Sequence, residues 1–249
     1  MSEKNKIMLI TGASSGIGEA MARLVIKEGW SVIGVARNIK KLQELKGELG
    51  EQFTAIECDV SDLNRVTEVS FQLKKKKLYP AIFFLNAGIL EVELKGIEID
   101  AERKMFEINY FGVINWLDLW LADCLRRNTI FTCMSSTLMI APPPRMSGYT
   151  VSKAALSILF QSLRVQYASS RVKFVTIFPG VTSTGIIQDR MKKKIPFIGT
   201  PERTAKVIFK QLLKGNEVIY TAPIRRMLLM FLSYLPYKLI KKIYERIFI

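Results

Sequence analysis

Short apolar runs at residues 7–10, 31–35, 53–57, 81–85, 129–134, 173–178 and 217–220 alternate with longer stretches whose apolar residues recur at helical spacing. The helical stretches fall at residues 18–27, 42–49, 63–75, 101–125, 149–169 and 201–214. This alternation leaves the chain few folds. A strand apolar at every position must be covered on both faces, and parallel neighbours need a helix to carry the chain back across the sheet. The expected class is therefore α/β, a doubly wound parallel sheet of about seven strands. No linker or repeat interrupts the pattern before residue 222, so residues 1–222 read as one domain and residues 223–249 as a C-terminal amphipathic tail.

The first apolar run leads straight into Thr11-Gly12-Ala13-Ser14-Ser15-Gly16-Ile17-Gly18. Glycines at a strand-to-helix turn let backbone approach a pyrophosphate, whose charge then sits at the helix N-terminus. Together with the alternation, this makes the sheet a Rossmann-type dinucleotide fold. After the second run a site selective for NAD wants a carboxylate to accept from the ribose 2′-hydroxyl. This chain has Ala36-Arg37-Asn38 instead. The planar fork of Arg37 suits a 2′-phosphate, so NADP(H) is the expected cofactor and reduction the expected direction.

The chain has no histidine. Ser-His-Asp triads, Cys-His pairs and His-ligated metals are thereby excluded. Acid/base work near neutral pH falls to another group, and Tyr149-Thr150-Val151-Ser152-Lys153 offers one. Spacing of i to i+4 puts Tyr149 and Lys153 on one helix face. A phenol ordinarily titrates near about 10, and an ammonium beside it is expected to lower that value by favouring the phenolate.

Glycines spaced G-x-x-x-G-x-G, followed far downstream by Tyr-x-x-x-Lys, resemble the short-chain dehydrogenase/reductase superfamily, and the resemblance runs from residue 5 to about residue 222. It implies that Gly12, Ser14, Ser15, Gly16, Ile17 and Gly18 bind cofactor. It makes Asp59 the carboxylate that meets the adenine amino group, with Val60 beside it. Asn86, Ala87 and Gly88 match the turn next to the adenine ribose, and Pro179 and Gly180 close the sixth strand. Thr182 and Thr184 are placed toward the nicotinamide amide and the phosphates. The implied catalytic set is Asn109, Ser136, Tyr149 and Lys153. Hydride passes from the nicotinamide to a carbonyl carbon while Tyr149 protonates the oxygen and Ser136 polarises it. Lys153 tunes Tyr149 and holds the ribose, and Asn109 completes a relay to solvent. Ser135 serves the backbone turn instead. Thr137-Leu138-Met139 replaces the family's usual small residues here, and with Pro142, Pro143 and Pro144 it reads as an apolar substrate wall or as plain core.

A formal net charge of +15 calls for an anionic partner. No finger, RNA-recognition signature or basic–aromatic alternation supports nucleic acid, so none is expected. Basic runs at residues 74–77 and 192–194 read as solvated, while the remaining charge gathers beside the apolar stretch 227–235. Past Pro236, Leu239, Ile240, Ile243, Tyr244, Ile247 and Phe248 share one helix face, and Lys238, Lys241, Lys242 and Arg246 the other. A nearly all-apolar stretch of nine residues cannot span a bilayer, but a cationic amphipathic tail can lie in its interface; Arg225 and Arg226 join the cations. The alternative is a helix that closes the substrate pocket or packs in an oligomer. Similar tails occur in short-chain reductases of lipid ketones, which implies a lipophilic carbonyl substrate and an anionic membrane surface as partners. Scattered Cys58, Cys124 and Cys133 and a polar start at residues 1–6 point to the cytoplasm, peripheral on the membrane's cytoplasmic face. The resemblance also implies a homodimer or homotetramer. Competing readings are a soluble reductase of small ketones or 3-oxoacyl thioesters, and a non-catalytic dinucleotide-binding scaffold.

Overall fold

The computed structural model describes residues 6–92, 96–185 and 198–248. Seven parallel strands form its sheet: β1 (Ile7–Thr11), β2 (Ser31–Ala36), β3 (Phe53–Glu57), β4 (Ile82–Leu85), β5 (Ile130–Met134), β6 (Lys173–Phe178) and β7 (Val218–Tyr220), in the order β3-β2-β1-β4-β5-β6-β7. Around it lie α1 (Gly16–Lys27), α2 (Ile39–Leu49), α3 (Leu63–Lys75), α4 (Ile99–Phe106), α5 (Gly112–Cys124), α6 (Ser147–Gln166) and α7 (Pro201–Leu213). The tail forms α8 (Pro223–Ser233) and α9 (Tyr237–Phe248).

Successive strand side chains point to opposite faces, so an all-apolar strand feeds two cores at once. Met8, Ile10 and Phe84 join Met21 and Val25 of α1 and Ile208 of α7 on one face. Leu9 and Phe83 join Trp116 and Trp120 of α5 and Leu156 and Phe160 of α6 on the other. Continuous apolar strands exist for this reason. Their sequential path runs outward from β1 to β3 and then returns to β4 on β1's other side, so a crevice opens at the carboxyl ends of β1 and β4.

Several boundaries differ from the sequence expectation. The helix expected over 101–125 is α4, a π-helical turn at Glu107–Phe111, and α5. The wider turn is where Asn109 sits, and such insertions often occur at functional sites. The helix expected at 149 starts earlier, at Ser147, and ends at Gln166. Helix α2 begins at Ile39 because the Asn38 side chain caps it, accepting from Lys41 N at 3.1 Å.

The tail does not leave the domain. Its first helix, α8, packs against the turn Thr137–Met139 and holds a buried Leu229, and Tyr244 of α9 is buried and donates its hydroxyl to the Ala141 carbonyl. No described helix is long and apolar enough to cross a membrane. The basic run 192–194 lies outside the described residues, as do the side chains of Arg246, Ile247 and Phe248.

Candidate active site

The crevice is built first from backbone. Gly12 and Gly16 adopt φ of 68° and 56°, left-handed values that L side chains rarely tolerate. A Cβ on Gly18 would fall on the Gly12 carbonyl oxygen and come within 2.8 Å of Asn86 Nδ2. On Gly16 it would meet the Thr184 methyl at 2.9 Å, and on Gly88 it would meet Asn109 Oδ1 at 3.0 Å and Lys153 Nζ at 3.1 Å. Thr11 Oγ1 accepts from Asn86 N at 2.9 Å and from Ala87 N at 3.0 Å, while Asn86 Nδ2 donates to Thr11 O at 3.0 Å. The Gly12–Gly18 turn and the Asn86–Gly88 turn are therefore one tightly sewn surface. Ser15 starts α1 with a side chain that is exposed and makes no cap, and Ser14 beside it is half-buried. A surface bare of side chains at a strand-to-helix turn fits a dinucleotide pyrophosphate.

At the far end of that surface Arg37 Nη1 lies 3.7 Å from Asp59 Oδ2. Asp59 is itself held, because its Oδ1 accepts from Ser61 N at 3.0 Å and Ser61 Oγ at 2.7 Å. Val60 is buried against Gly112, where a Cβ would come within 2.6 Å of the valine methyl. Arg37 is thus steered by a neighbouring carboxylate.

At the reacting end, Ser136, Tyr149 and Lys153 line one crevice with Pro179, Gly180, Thr182 and Thr184. Ser135 Oγ donates to Lys153 O at 2.9 Å and ties α6 to the end of β5, the backbone service expected of it. Ser136 Oγ accepts from Leu138 N at 3.2 Å and bonds Tyr149, so its hydroxyl is positioned from both sides. Asn109 is buried and fully engaged: Oδ1 accepts from Ile89 N at 2.8 Å, and Nδ2 donates to Ile89 O at 3.0 Å and Ser152 Oγ at 3.1 Å. It therefore fixes the loop after β4 and shares with Lys153 Nζ the space that Gly88 leaves open.

Two expectations are corrected. Lys153 Nζ stands 5.8 Å from the Tyr149 ring centre, and the phenol is not depressed. Burial raises it, opposed only by the Ser136 hydrogen bond. The lysine responds instead: burial pulls it down to about 8, with a small opposing effect of Cys133. Thr182 lines the crevice as expected of a cofactor contact, and its hydroxyl donates to Gly180 O at 3.0 Å with Thr204 Oγ1 at 3.2 Å. Arg225, expected on a cationic outer face, lines the crevice, and Arg226 stacks over the Tyr220 ring at 4.3 Å.

Leu138 does line the crevice, as the apolar-wall reading requires, and Leu90 and Met146 join it; Pro142, Pro143 and Pro144 do not. Sequence reading missed Leu90, Met146, Ser152 and the inward role of Arg225. Ser152 carried a signal, since it lies on the Tyr149–Lys153 helix three residues from Tyr149. Among the described residues no cluster of carboxylates or thiols could hold a metal.

Residues 6–195 match the family model described as short chain dehydrogenase. A fatty acyl-CoA reductase of Acinetobacter baylyi is 31% identical over 227 residues, covering 88% of this chain and 76% of the relative. A benzil reductase ((S)-benzoin forming) of Saccharomyces cerevisiae is 30% identical, covering 86% of this chain and 85% of its own length. Among solved structures, an alcohol dehydrogenase from Thermococcus sibiricus complexed with 5-hydroxy-NADP superposes with a TM-score of 0.76 at 25% identity, covering 87% of this chain and 95% of that one.

Proposed function

The chain belongs to the short chain dehydrogenase family of oxidoreductases, and we propose that it is an NADPH-dependent carbonyl reductase that turns a lipophilic ketone into a secondary alcohol. One observation carries this reading: a phenol, a serine hydroxyl and a buried ammonium converge on a crevice that adjoins the glycine surface. A scaffold that only held a dinucleotide would have no use for Ser136 and Tyr149 aimed at the same point.

When bound, the nicotinamide dinucleotide supplies the hydride that reduces the carbonyl carbon. The residues that would hold it are the Gly12–Gly18 turn, the Asn86–Gly88 turn, Asp59, Lys153, and Arg37 for the 2′-phosphate. The chain's own part is proton handling. Ser136 donates a hydrogen bond to the carbonyl oxygen, and Tyr149 gives that oxygen its proton. A phenol held above its ordinary value is protonated at neutral pH and so ready to act as an acid. Lys153, near 8, carries its charge through most of that range and can return a proton to Tyr149. Leu90, Leu138 and Met146 form the apolar side of the crevice and favour a lipophilic substrate.

We place the protein peripherally on a cytoplasmic membrane face. Helix α8 exposes Ile224, Met227, Leu228 and Phe231, spaced to share one side, Tyr234 at its end is exposed too, and Lys238, Lys241 and Lys242 of α9 are exposed nearby in sequence. Arg225 and Arg226 drop out of the headgroup-facing set because of where they point. Exposed Val151, Ile158 and Val165 repeat every seven residues along α6 and support pairing of two copies through this helix. The test of function is NADPH oxidation with a panel of ketones and aldehydes of increasing chain length. Turnover that rises with chain length supports the reading; a protein that binds NADPH and reduces none of them is a scaffold.

A further inference from the structure

Resting on the reductase reading, we propose that Arg225 binds an anionic group of the substrate, so that the ketone reduced here is an amphiphile carrying a carboxylate or a phosphate.

Arg225 lies in the first turn of α8 and lines the same crevice as Ser136 and Tyr149. Among the described residues its buried Nε has no hydrogen-bond partner and no ion pair includes it. Burial without a counter-charge also pulls its pKa down, from a value so high that the guanidinium stays charged. A partly buried charge with no counter-charge among the described residues is costly to hold, and it is retained where something outside the folded chain completes it. The same crevice has an apolar side, with Leu90, Leu138 and Met146. A guanidinium in a crevice with an apolar side is the complement of a molecule with a greasy body and an anionic end.

The dinucleotide also carries phosphates, so position decides between the two sources. Helix α8 packs on the turn Thr137–Met139, directly after Ser136, and Ala222 packs against Gly180, where a Cβ would lie 2.7 Å away. Arg225 therefore approaches from the side of the residue that holds the reacting oxygen. The pyrophosphate surface is on another side, where Gly16 meets Thr184 and Gly18 meets Asn86. The planar fork of a guanidinium pairs with either carboxylate or phosphate in two parallel hydrogen bonds.

The test uses full-length Tyr149→Phe protein loaded with NADPH, which removes the proton donor, and reads binding from the cofactor's fluorescence. Three matched probes are titrated: a long-chain keto carboxylate, its methyl ester, and the keto-alkyl phosphate of the same length. An anionic probe should bind about ten- to a hundredfold more tightly than the ester. Adding Arg225→Gln should bring that ratio close to one, and Arg225→Lys should keep part of it. Thermal melting should not fall in Arg225→Gln, since a partly buried charge without a counter-charge among the described residues is removed. Anions bound no better than the ester, or a ratio that survives Arg225→Gln, would overturn the proposal. So would a loss of NADPH affinity in Arg225→Gln as large as the loss for the probes, which would give the guanidinium to the cofactor. If wild-type protein reduces none of the three while the Arg225-dependent ratio holds, the anion site stands and the reductase reading fails.

Discussion

Arg37 Nη1 stands 3.7 Å from Asp59 Oδ2, across the carboxyl ends of the neighbouring strands β2 and β3. Both side chains are exposed enough that the pair contributes little to stability. Its use is positional. The carboxylate, anchored by Ser61, holds a guanidinium where an NAD-selective site would carry an acid. Arg37→Asp should therefore weaken NADPH binding by about ten- to a hundredfold, with NADH affected far less. Asp59→Asn should lower NADPH affinity by a smaller factor, because Arg37 remains but is no longer steered. Equilibrium titration of both cofactors checks this, and equal affinities of wild type for NADH and NADPH would contradict the choice of cofactor.

The glycines predict opposite signs at two sites. A Cβ on Gly18 has no room beside the Gly12 carbonyl and Asn86, whereas one on Gly47, inside α2, meets nothing within 4 Å. Gly18→Ala should cost about 1–3 kcal/mol by overpacking and abolish cofactor binding. Gly47→Ala should stabilise by about 0.5–1 kcal/mol through helix propensity alone. Denaturant unfolding of both variants measures the pair.

Lys153 links the site to stability through pH. Folded, it titrates near 8; unfolded, it returns to about 10.5. Between those values the unfolded chain binds the extra proton, so stability rises with pH across this window. Below pH 8 both states are protonated and the cost of burying the charge is fully felt. Lys153→Met should then be more stable than wild type by about 3 kcal/mol at pH 7, and the gain should fade between pH 8 and 10.5. Melting curves of the two proteins across this range test it, and a gain independent of pH would contradict the assignment.

Membrane attachment predicts an effect of side chains that face away from the domain. Leu228→Glu with Phe231→Glu alters exposed positions of α8 and should move the protein from anionic liposomes into the supernatant. Binding of wild type should fall as salt rises, each surface cation being worth about 1 kcal/mol and screened. Cutting the chain after residue 222 is a different experiment. It also removes Arg225, which lines the crevice, and the buried Leu229 and Tyr244, and should cost activity even in the absence of lipid.

Strand pattern and glycine spacing made the sheet legible, because each strand's continuous apolar run encodes burial on both faces. Gly12, Gly16, Gly18 and Gly88 and the crevice residues Ser136, Tyr149 and Lys153 lie on adjoining surfaces, the grouping that the family resemblance implied. What the sequence could not carry was direction. Arg225 and Lys238 are both basic residues near an apolar stretch, yet one faces the crevice and the other solvent. Only the packing of α8 on Thr137–Met139 separates them. The π turn at Asn109 was hidden for a related reason: a single added residue per turn leaves the apolar periodicity of the flanking helices nearly unchanged. The titration of Tyr149 and Lys153 was also out of reach, since i to i+4 spacing fixes which face they share but not their burial.

The most direct test of the reductase assignment compares Tyr149→Phe with wild type in turnover and in NADPH affinity, using one long-chain ketone and the same cofactor concentration. The substitution removes one hydroxyl from the crevice and leaves the glycine surface, Arg37 and Lys153 in place. NADPH should bind within about threefold of wild type, while kcat falls by two or more orders of magnitude, roughly the contribution of a positioned acid. Turnover retained at the wild-type level, with NADPH still bound, would contradict Tyr149 as the proton donor and with it the central claim.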